Sequence, residues 1–495
     1  MNKTNEERKR QVAHIIEISN EYNLVVDDKT VNEPFHLLFW EHQDNNEKQI
    51  RICLNRYTGE LIELDIDDEE FFQNSDEVMR AKKAKEIADS FIKQYIPQSY
   101  EAYTVVYVKE WRGKQEVHYS QEVNGYSLPH TGCKVRIHPY GRIIKFRNHG
   151  VKEKPVWPAS IVEKEIVVQQ LKKRQDMRLV FAHLLPELYE YESGKEASGY
   201  RLVYEPVPSI AFIDACTGKD KHDKSHYESA PTIAVSAPKY KQTPETDIYS
   251  LLALEERGLV KVSEEDSDTE KKMVFAPKES LQGEQEDNEY SLDVFSKKHL
   301  LILRYGNPVM VRIDKKTNVL LHYFSHGQEE GKETLTREQC LEKALQFLGQ
   351  VIPNAEQYLR LWDNYDEEDS SGRFHFDLYI NGIQINSELV MIHIDAGTGD
   401  VTMYSGVSPS VIEELLVYET NAKVRKEQAL ETYQNALRVE LEWFDTGDDN
   451  QSKYELIYKQ TTTERSEAYS IDYFMRREMR YIDAHTGEAI WSKRD

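Results

Sequence analysis

Histidine and cysteine side chains are the first candidates for chemistry in this sequence, because imidazole and thiolate are the ligands that zinc prefers in proteins. His130, Cys133 and His138 lie within one short segment. The apolar alternation around them predicts a strand, and a strand points successive side chains to opposite faces. The three groups are therefore not expected to converge on one ion. Cys133 alternates with Val135 and Ile137, so it is expected to face a core.

A second histidine pair, His222 and His226, has the spacing of one helical turn and flanks Asp223. Two imidazoles at this spacing on a helix can share a metal ion. The segment is too polar to favour an ordered helix, so only a weak adventitious site would form there. We predict no metal ligands in this chain.

Carboxylates are concentrated in two dense runs, at residues 65–70 and at residues 366–369. Paired carboxylates can act as general acid and base, or they can bind calcium. Neither run has the glycine and the regularly spaced ligands of a calcium loop, so both are interpreted as solvated loops. The sequence also has no His-Glu-x-x-His, no Gly-x-Ser-x-Gly, no phosphate loop and no dinucleotide fingerprint. We therefore predict no catalytic or cofactor-binding residues and no cofactor.

One short motif recurs along the whole chain. An alternating apolar strand enters a tight turn that contains Asp and Thr-Gly, and a second strand follows. The side chain at the first position can accept a backbone N–H two residues on, and a later residue must adopt a positive φ to re-enter the sheet. The predicted structural turn residues are Asn55, Gly59, Gly141, Asp214, Gly218, Asp314, Asn318, Asp395, Gly399, Asp483 and Gly487.

Asn318 decides between a structural and a ligand-binding role for these turns. It stands where the other copies have glycine. Asparagine tolerates a positive φ, but its side chain would obstruct the close approach of a phosphate group. The turns are therefore interpreted as hairpin corners rather than as sites for an ion or a phosphate.

Successive turns lie about 80 to 100 residues apart, which is the size of a small domain rather than of a solenoid repeat. The predicted fold class is α+β, in tandem units that each pack a helix on a small antiparallel sheet. A set of three units occurs twice. The predicted boundaries are 1–75, 76–155 and 156–222 for the first set, a polar linker with a short helix at 223–289, and 290–330, 331–407 and 408–495 for the second set.

Helix signals support this duplicated order. Helical periodicity at residues 84–91 and at residues 341–348 is followed in each case by an Ile-Pro pair, which predicts helix ends near Ile96 and Ile352. Capping-box patterns begin at Ser160 and at Ser410, ahead of the third and sixth units. In these two units the apolar positions are offset by one residue, so they are expected to pack differently from the other four.

Charge and hydropathy exclude several classes of partner. The 495 residues carry a formal net charge of −24, which repels nucleic acid and anionic lipid. No apolar stretch approaches the length of about 18 residues that a membrane span needs. The N-terminal residues are charged and show no apolar segment typical of a signal peptide. We expect a cytoplasmic protein with no nucleic-acid partner and no membrane span.

An apolar strand that enters an Ile-Asp-Ala-x-Thr-Gly turn, in a unit that begins with a helix, resembles PepSY domains. The pairing of this turn with an upstream Asn-Gly, at Asn124 and at Asn381, is similar to the YcdB/YcdC repeat proteins of spore-forming bacteria. The resemblance implies tandem PepSY-like units. It also implies a role in binding or restraining peptidases, and it supplies no catalytic residues.

The sequence therefore favours a non-enzymatic interaction or regulatory protein that binds a peptidase or a peptide through sheet edges or clefts between units. One alternative is a hydrolase with a site between the two halves, since clefts between domains commonly hold ligands. Another is a structural or assembly protein. The sequence does not determine the oligomeric state.

Overall fold

A computed structural model describes residues 15–27, 34–45, 48–67, 81–111, 113–222, 226–227, 230–236, 247–281, 307–325, 334–363, 372–447, 453–463 and 477–493. The architecture is mixed α+β and strand-rich, as expected from the alternating apolar patterns. Among the described residues, no helix is long and apolar enough to cross a membrane.

Residues 22–150, the first module, are built on one eight-stranded antiparallel sheet with strand order β1-β2-β3-β4-β10-β9-β6-β5. A short hairpin, β7 with β8, projects between β6 and β9. The elements are β1 Tyr22–Asp27, β2 Phe35–His42, β3 Gln49–Asn55, β4 Leu61–Asp67, α1 Ala81–Tyr95, α2 Pro97–Tyr100, β5 Thr104–Trp111, β6 Lys114–Ser120, β7 Glu122–Val123, β8 Tyr126–Ser127, β9 Gly132–Ile137 and β10 Ile143–Gly150.

Residues 259–405, the second module, repeat this topology as β16-β17-β18-β19-β23-β22-β21-β20. Helix α5 takes the place of α1 in chain order. The elements are β16 Leu259–Asp266, β17 Glu270–Pro277, a 3-10 turn at Lys278–Leu281, β18 Val309–Asp314, β19 Leu320–Ser325, α5 Arg337–Val351, α6 Ala355–Tyr358, β20 Leu359–Trp362, β21 Arg373–Ile380, β22 Ile383–Ile394 and β23 Val401–Ser405.

Two expectations from the sequence are corrected here. The first two units share one sheet because β4 pairs with β10, and the fourth and fifth share another because β19 pairs with β23. A separate sheet for each unit is therefore wrong for these four units, since each pairing satisfies backbone groups that an isolated edge would leave open. The stretch 223–289 contains the short helix α4, Ile248–Leu251, but it also supplies β16 and β17, which extend the second sheet.

Helix α1 covers one face of the first sheet. Ala84, Ala88 and Phe91 of the helix pack in a common core with Val135 and Phe146 of the sheet. The helix ends at Tyr95, and α5 ends at Val351, so both end just before the Ile-Pro pairs. Proline disfavours helical backbone in the residue before it, and the two predicted helix ends are confirmed.

The third and sixth units contribute the remaining elements. The third has α3 Lys164–Arg174, β11 Asp176–Leu184, β12 Tyr189–Tyr191, β13 Gly199–Val207 and β14 Phe212–Asp214, and it is followed by β15 Thr232–Ala234. The sixth has α7 Pro409–Leu416, α8 Lys426–Ala436, β24 Arg438–Asp445, β25 Tyr454–Thr461, β26 Met479–Asp483 and β27 Ala489–Ser492.

These two units exchange strands with each other. Strand β13 pairs with β26 of the sixth unit, and β25 pairs with β14 of the third. Helix α8 packs on β11, β13 and β26, whereas α3 packs on β24. One composite layer therefore consists of β11 and β13 from the third unit together with β26, β27 and α8 from the sixth. The other consists of β24 and β25 from the sixth unit together with β14 and α3 from the third. This exchange accounts for the different apolar pattern of the two units.

Equivalent hydrogen bonds fasten the two composite layers. The Tyr204 hydroxyl donates to the Val424 carbonyl at 2.8 Å, and the Tyr458 hydroxyl donates to the Val162 carbonyl at 2.7 Å. Both tyrosines are buried. Each bond joins a strand of one half to the segment that enters the helix of the other half, so the exchange is reciprocal.

The capping predictions for these units are wrong. Helix α3 begins at Lys164 and has Glu163 as its N-cap, so Ser160 lies outside it. Helix α7 is capped by Ser408, whose Oγ accepts the Ser410 N–H. The helix equivalent to α3 is α8, because both lead directly into the exchanged strand pair.

Candidate functional site

The predicted turn residues form hairpin corners with closely similar geometry. In five of the corners the first side chain accepts two backbone N–H bonds at distances of 2.7 to 3.1 Å. These acceptors are Asn55, Asp214, Asp314, Asp395 and Asp483. The residues that re-enter the strands have φ values of 56 to 80° and are Gly59, Gly141, Gly218, Asn318, Gly399 and Gly487.

Protein donors also occupy the second carboxylate oxygen at two corners. Ser408 donates to Asp314 at 3.0 Å, and Tyr191 donates to Asp483 at 3.1 Å. Within the described ranges, no group of three or more His, Cys, Asp or Glu side chains is arranged to hold a metal ion. The six corners are distributed over three sheets, and in the described residues they do not gather around one metal ion.

The other sequence candidates that lie in the described part of the chain do not assemble into a site. Cys133 is buried in the core of the first module, which confirms its predicted orientation. The His138 ring contacts the Tyr140 ring of the following turn at a tilt of 50°. His130 lies at a positive φ before β9. The rings of His222 and His226 stack with centroids 4.0 Å apart. Residues 223, 68–70 and 366–369 lie outside the described residues.

A cleft between the two halves has the position expected for the hydrolase alternative. It measures about 610 Å³ and is lined by residues 176–179, Tyr204, Val207 and Lys426. Lys426 from the sixth unit pairs with Asp176 at 2.8 Å. Burial raises the pKa of Asp176, but the hydrogen bonds from Lys426 and from the Met177 N–H outweigh it and lower that pKa. This lining presents an ion pair and no Ser, Cys or His, so it does not resemble the sites of serine or cysteine hydrolases.

An edge strand of the second module is already extended by a segment of the same chain. Strand β15 pairs antiparallel with β20 through Thr232–Trp362, Ile233–Leu361 and Ala234–Arg360. This segment lies before the second module and crosses to it as an isolated strand of 3 residues. The equivalent strand of the first module, β5, pairs with β6 alone as far as the structure is described. The first module therefore presents the edge that β15 occupies in the second.

The face of the first sheet opposite α1 carries the second candidate feature. Strand alternation places Val117, Val135 and Phe146 in the core and turns their neighbours outward. On β6, β9 and β10 the outward residues comprise five cations and one carboxylate, together with His118. They are Lys114, Glu116, His118, Lys134, Arg136, Lys145 and Arg147. We call Lys134, Arg136, Lys145 and Arg147 the basic face.

A buried polar network anchors one side of this face. Arg136 Nη2 donates to Glu116 Oε2 at 2.6 Å, and His118 Nε2 lies 2.5 Å from Glu116 Oε1. The Tyr107 ring stacks on His118 with a centroid distance of 4.0 Å. Burial would raise the pKa of Glu116, but the bonds from His118 and Arg136 lower it to about 2. Burial lowers the pKa of His118. Glu116 is therefore charged at pH 7.

The second module provides an internal comparison for the basic face. Counting back from the hairpin corner, Lys134 and Arg136 correspond to Met391 and His393. Across the β22–β23 ladder, Lys145 and Arg147 correspond to Met403 and Ser405. The same topology thus accepts neutral side chains at all four positions. Positive charge at these positions is a property of the first module and not a requirement of the fold.

The fold and the site define a class of protein, a chain of duplicated α+β modules with an open sheet edge and a charged sheet face. The model of the YcdB, YcdC repeated domain matches residues 5–150 and 263–408, and these ranges coincide closely with the two modules. The chain belongs to this family. The repeating element is accordingly two predicted units long.

Two proteins of Bacillus subtilis (strain 168) are similar along much of their length. The uncharacterized protein YcdB is 26% identical over 487 residues, covering 93% of this chain and 95% of YcdB. The uncharacterized protein YcdC is 26% identical over 369 residues, covering 71% of this chain and 73% of YcdC. Among solved structures, the Bacillus megaterium YpeB C-terminal domain aligns with a TM-score of 0.27 and 11% identity, covering 45% of this chain and 96% of that domain.

Proposed function

We propose that this chain is a non-enzymatic interaction protein that takes up an extended segment of a partner, such as a peptidase, as an additional strand beside β5. The proposal includes a cytoplasmic location and PepSY-like units, as the sequence suggests. In this mode of recognition, main-chain hydrogen bonds supply affinity and alternate side chains supply specificity.

The observation that carries the proposal is the pairing of β15 with β20. A segment from another part of the chain has added itself to the edge of the second module in register over three residue pairs. The two modules have the same strand order, so β5 occupies the equivalent edge. An edge of this kind carries N–H and C=O groups that a partner strand can satisfy.

The test uses proline substitutions in β5. Successive N–H groups of an edge strand point alternately toward the sheet and away from it. Of Val108→Pro and Lys109→Pro, one should therefore remove only an outward N–H and leave the unfolding temperature nearly unchanged, while the other breaks the β5–β6 ladder. The variant that keeps its unfolding temperature is the edge-blocked protein.

Peptides of about ten residues, long enough to span an edge strand, would be selected on the wild-type chain from a displayed random library. Their affinities would then be measured by fluorescence anisotropy on both proteins. Loss of one or two main-chain hydrogen bonds, each worth about 0.5–1.5 kcal/mol, predicts about twofold to about 150-fold weaker binding to the edge-blocked protein. Equal affinities for the two proteins, or the absence of any selected peptide, would contradict the proposal.

A further inference from the structure

We propose that the basic face of the first module binds an acidic polypeptide segment of the partner. This inference rests on the proposed function and names the chemistry of the partner. The surface lies on the same sheet as β5, on the side opposite α1, and its four cations come from the neighbouring strands β9 and β10.

The charge of this surface is opposite to that of the whole protein. The chain carries a formal net charge of −24, yet outward positions on β6, β9 and β10 bear five cations against Glu116. Lys134 lies opposite Arg147 in the ladder, and Arg136 lies opposite Lys145. Like charges directly opposite each other on one sheet face are destabilising. The two facing pairs of cations repel each other, and the β4 carboxylates on the other side of β10, Asp65 opposite Lys145 and Glu63 opposite Arg147, offset part of that repulsion.

Neighbouring carboxylates neutralise only part of this charge. Lys145 Nζ lies 2.6 Å from Asp65 Oδ2, and Arg136 is held by Glu116. Asp65 also pairs with Arg51 at 3.0 Å. Lys109 Nζ also approaches Glu116 Oε1 to 3.7 Å. Asp65 and Glu116 therefore each interact with two of these cations at once. Glu63, which lies opposite Arg147, also pairs with Arg51 at 3.1 Å. Among the outward side chains of β3 to β6, β9 and β10, cations still outnumber carboxylates. The cations are Arg51, Lys109, Lys114, Lys134, Arg136, Lys145 and Arg147, and the carboxylates are Glu63, Asp65, Asp67 and Glu116.

The second module shows that the fold does not impose this charge. At the equivalent positions it has Met391, His393, Met403 and Ser405, which are half-buried on the corresponding face. The two modules share one topology, but the first carries four cations where the second carries neutral residues. This difference points to a ligand that binds the first module and not the second. Charge complementarity selects an anionic partner, and an acidic polypeptide is the kind that the edge of the same sheet can accommodate.

The experiment compares four full-length proteins. The face variant carries Lys134→Met, Lys145→Met and Arg147→Ser, which are the residues of the second module, and keeps Arg136 so that Glu116 stays paired. The control variant carries Lys83→Met, Lys93→Met and Lys173→Met, which remove the same charge from exposed helical positions. The reciprocal variant carries Met391→Lys, Met403→Lys and Ser405→Arg. The fourth protein is the wild type.

The probe is a fluorescein-labelled oligoglutamate of about ten residues, measured by anisotropy at low and at physiological salt. Because exposed ion pairs contribute about 0.2–1 kcal/mol each, we expect about threefold to a hundredfold weaker binding to the face variant. The control variant should bind as the wild type does, and the reciprocal variant should show a second site. Binding should weaken as added salt shortens the Debye length.

Three results would overturn the inference. Equal affinity of the face and control variants for oligoglutamate would show that the basic face does not bind it. Tighter binding of an oligothymidylate of equal charge would assign the face to nucleic acid. A dimer in light scattering that the face variant abolishes would assign it to a second copy of the chain. If neutral peptides selected at β5 bind normally while oligoglutamate does not bind, the inference fails and the proposed function stands.

Discussion

Gly132 marks the closest approach of β9 to β6, and replacing it with alanine is a direct test of the first sheet. Gly132 has a φ of +80°, and an added Cβ would lie 1.9 Å from the Tyr119 carbonyl oxygen and 2.6 Å from Ser120 Cα. These are backbone atoms that cannot move without shifting β6. Because β9 carries Lys134 and Arg136, the substitution would also displace half of the basic face.

The expected cost has two parts. A non-glycine residue in the left-handed region costs about 1–2 kcal/mol, and forcing atoms into a filled space costs about 1–3 kcal/mol more. Gly132→Ala should therefore lower the free energy of unfolding of the first module by about 2–5 kcal/mol. Gly125→Ala is the matched control. Its φ is +78° and its added Cβ meets nothing within 4 Å, so it should cost only about 1–2 kcal/mol.

Native-state hydrogen exchange, read on peptides from residues 114–137, measures this cost within the first module and separates it from unfolding elsewhere in the chain. Both substitutions place alanine at a positive φ, so the difference in lost protection between Gly132→Ala and Gly125→Ala should equal the cost of the steric clash at Gly132. Equal loss of protection in the two variants would mean that β6 and β9 do not approach each other as described. The arrangement of the basic face would then be refuted as well.

Two further predictions concern the exchanged strands and the second module. Tyr204→Phe and Tyr458→Phe each remove a buried hydroxyl that donates across the exchange. Each substitution should lower the free energy of unfolding by about 1–3 kcal/mol, because the Val424 or Val162 carbonyl loses its donor. Urea unfolding measures this change. A lower free energy of unfolding in only one of the two variants would contradict the reciprocal arrangement. Burial, with Arg373 and His375, lowers the pKa of His393 to about 4, below the value of about 6.5 of an unfolded chain. Between these two pH values the unfolded state therefore binds a proton that the folded state does not, so the free energy of unfolding falls as the pH drops through this window. His393→Gln should flatten that part of the plot of unfolding free energy against pH. An unchanged plot would show that His393 does not contribute.

Two local signals in the sequence predicted local structure correctly, whereas the capping-box patterns at Ser160 and Ser410 did not. The Ile-Pro pairs located the ends of α1 and α5, and alternation around Cys133 placed its side chain in a core. Both inferences depend on backbone sterics and side-chain period, which act within a few residues. The resemblance to the YcdB/YcdC repeat proteins was also confirmed by the match to both modules.

Pairings between distant segments could not be predicted in the same way. Residues 259–277 are rich in charge, with Glu264, Glu265 and Asp266 at the end of β16, and therefore resembled a linker. Their strands form because β17 pairs with β18 across a long insertion. The basic face was missed because its cations are distributed over separate strands. A comparison of the two modules at the outward positions before their hairpin corners could have revealed the basic face.

The exchange of strands between the third and sixth units has a consequence for biosynthesis. Strand β13 is complete once residue 207 has left the ribosome, but its neighbour β26 begins only at Met479. The first module can close its sheet during translation, whereas the layer that contains β13 must wait until β26 has been made. A nascent chain arrested before residue 479 would leave β13 paired with β11 but without β26, and the open edge would be exposed to chaperones and proteases.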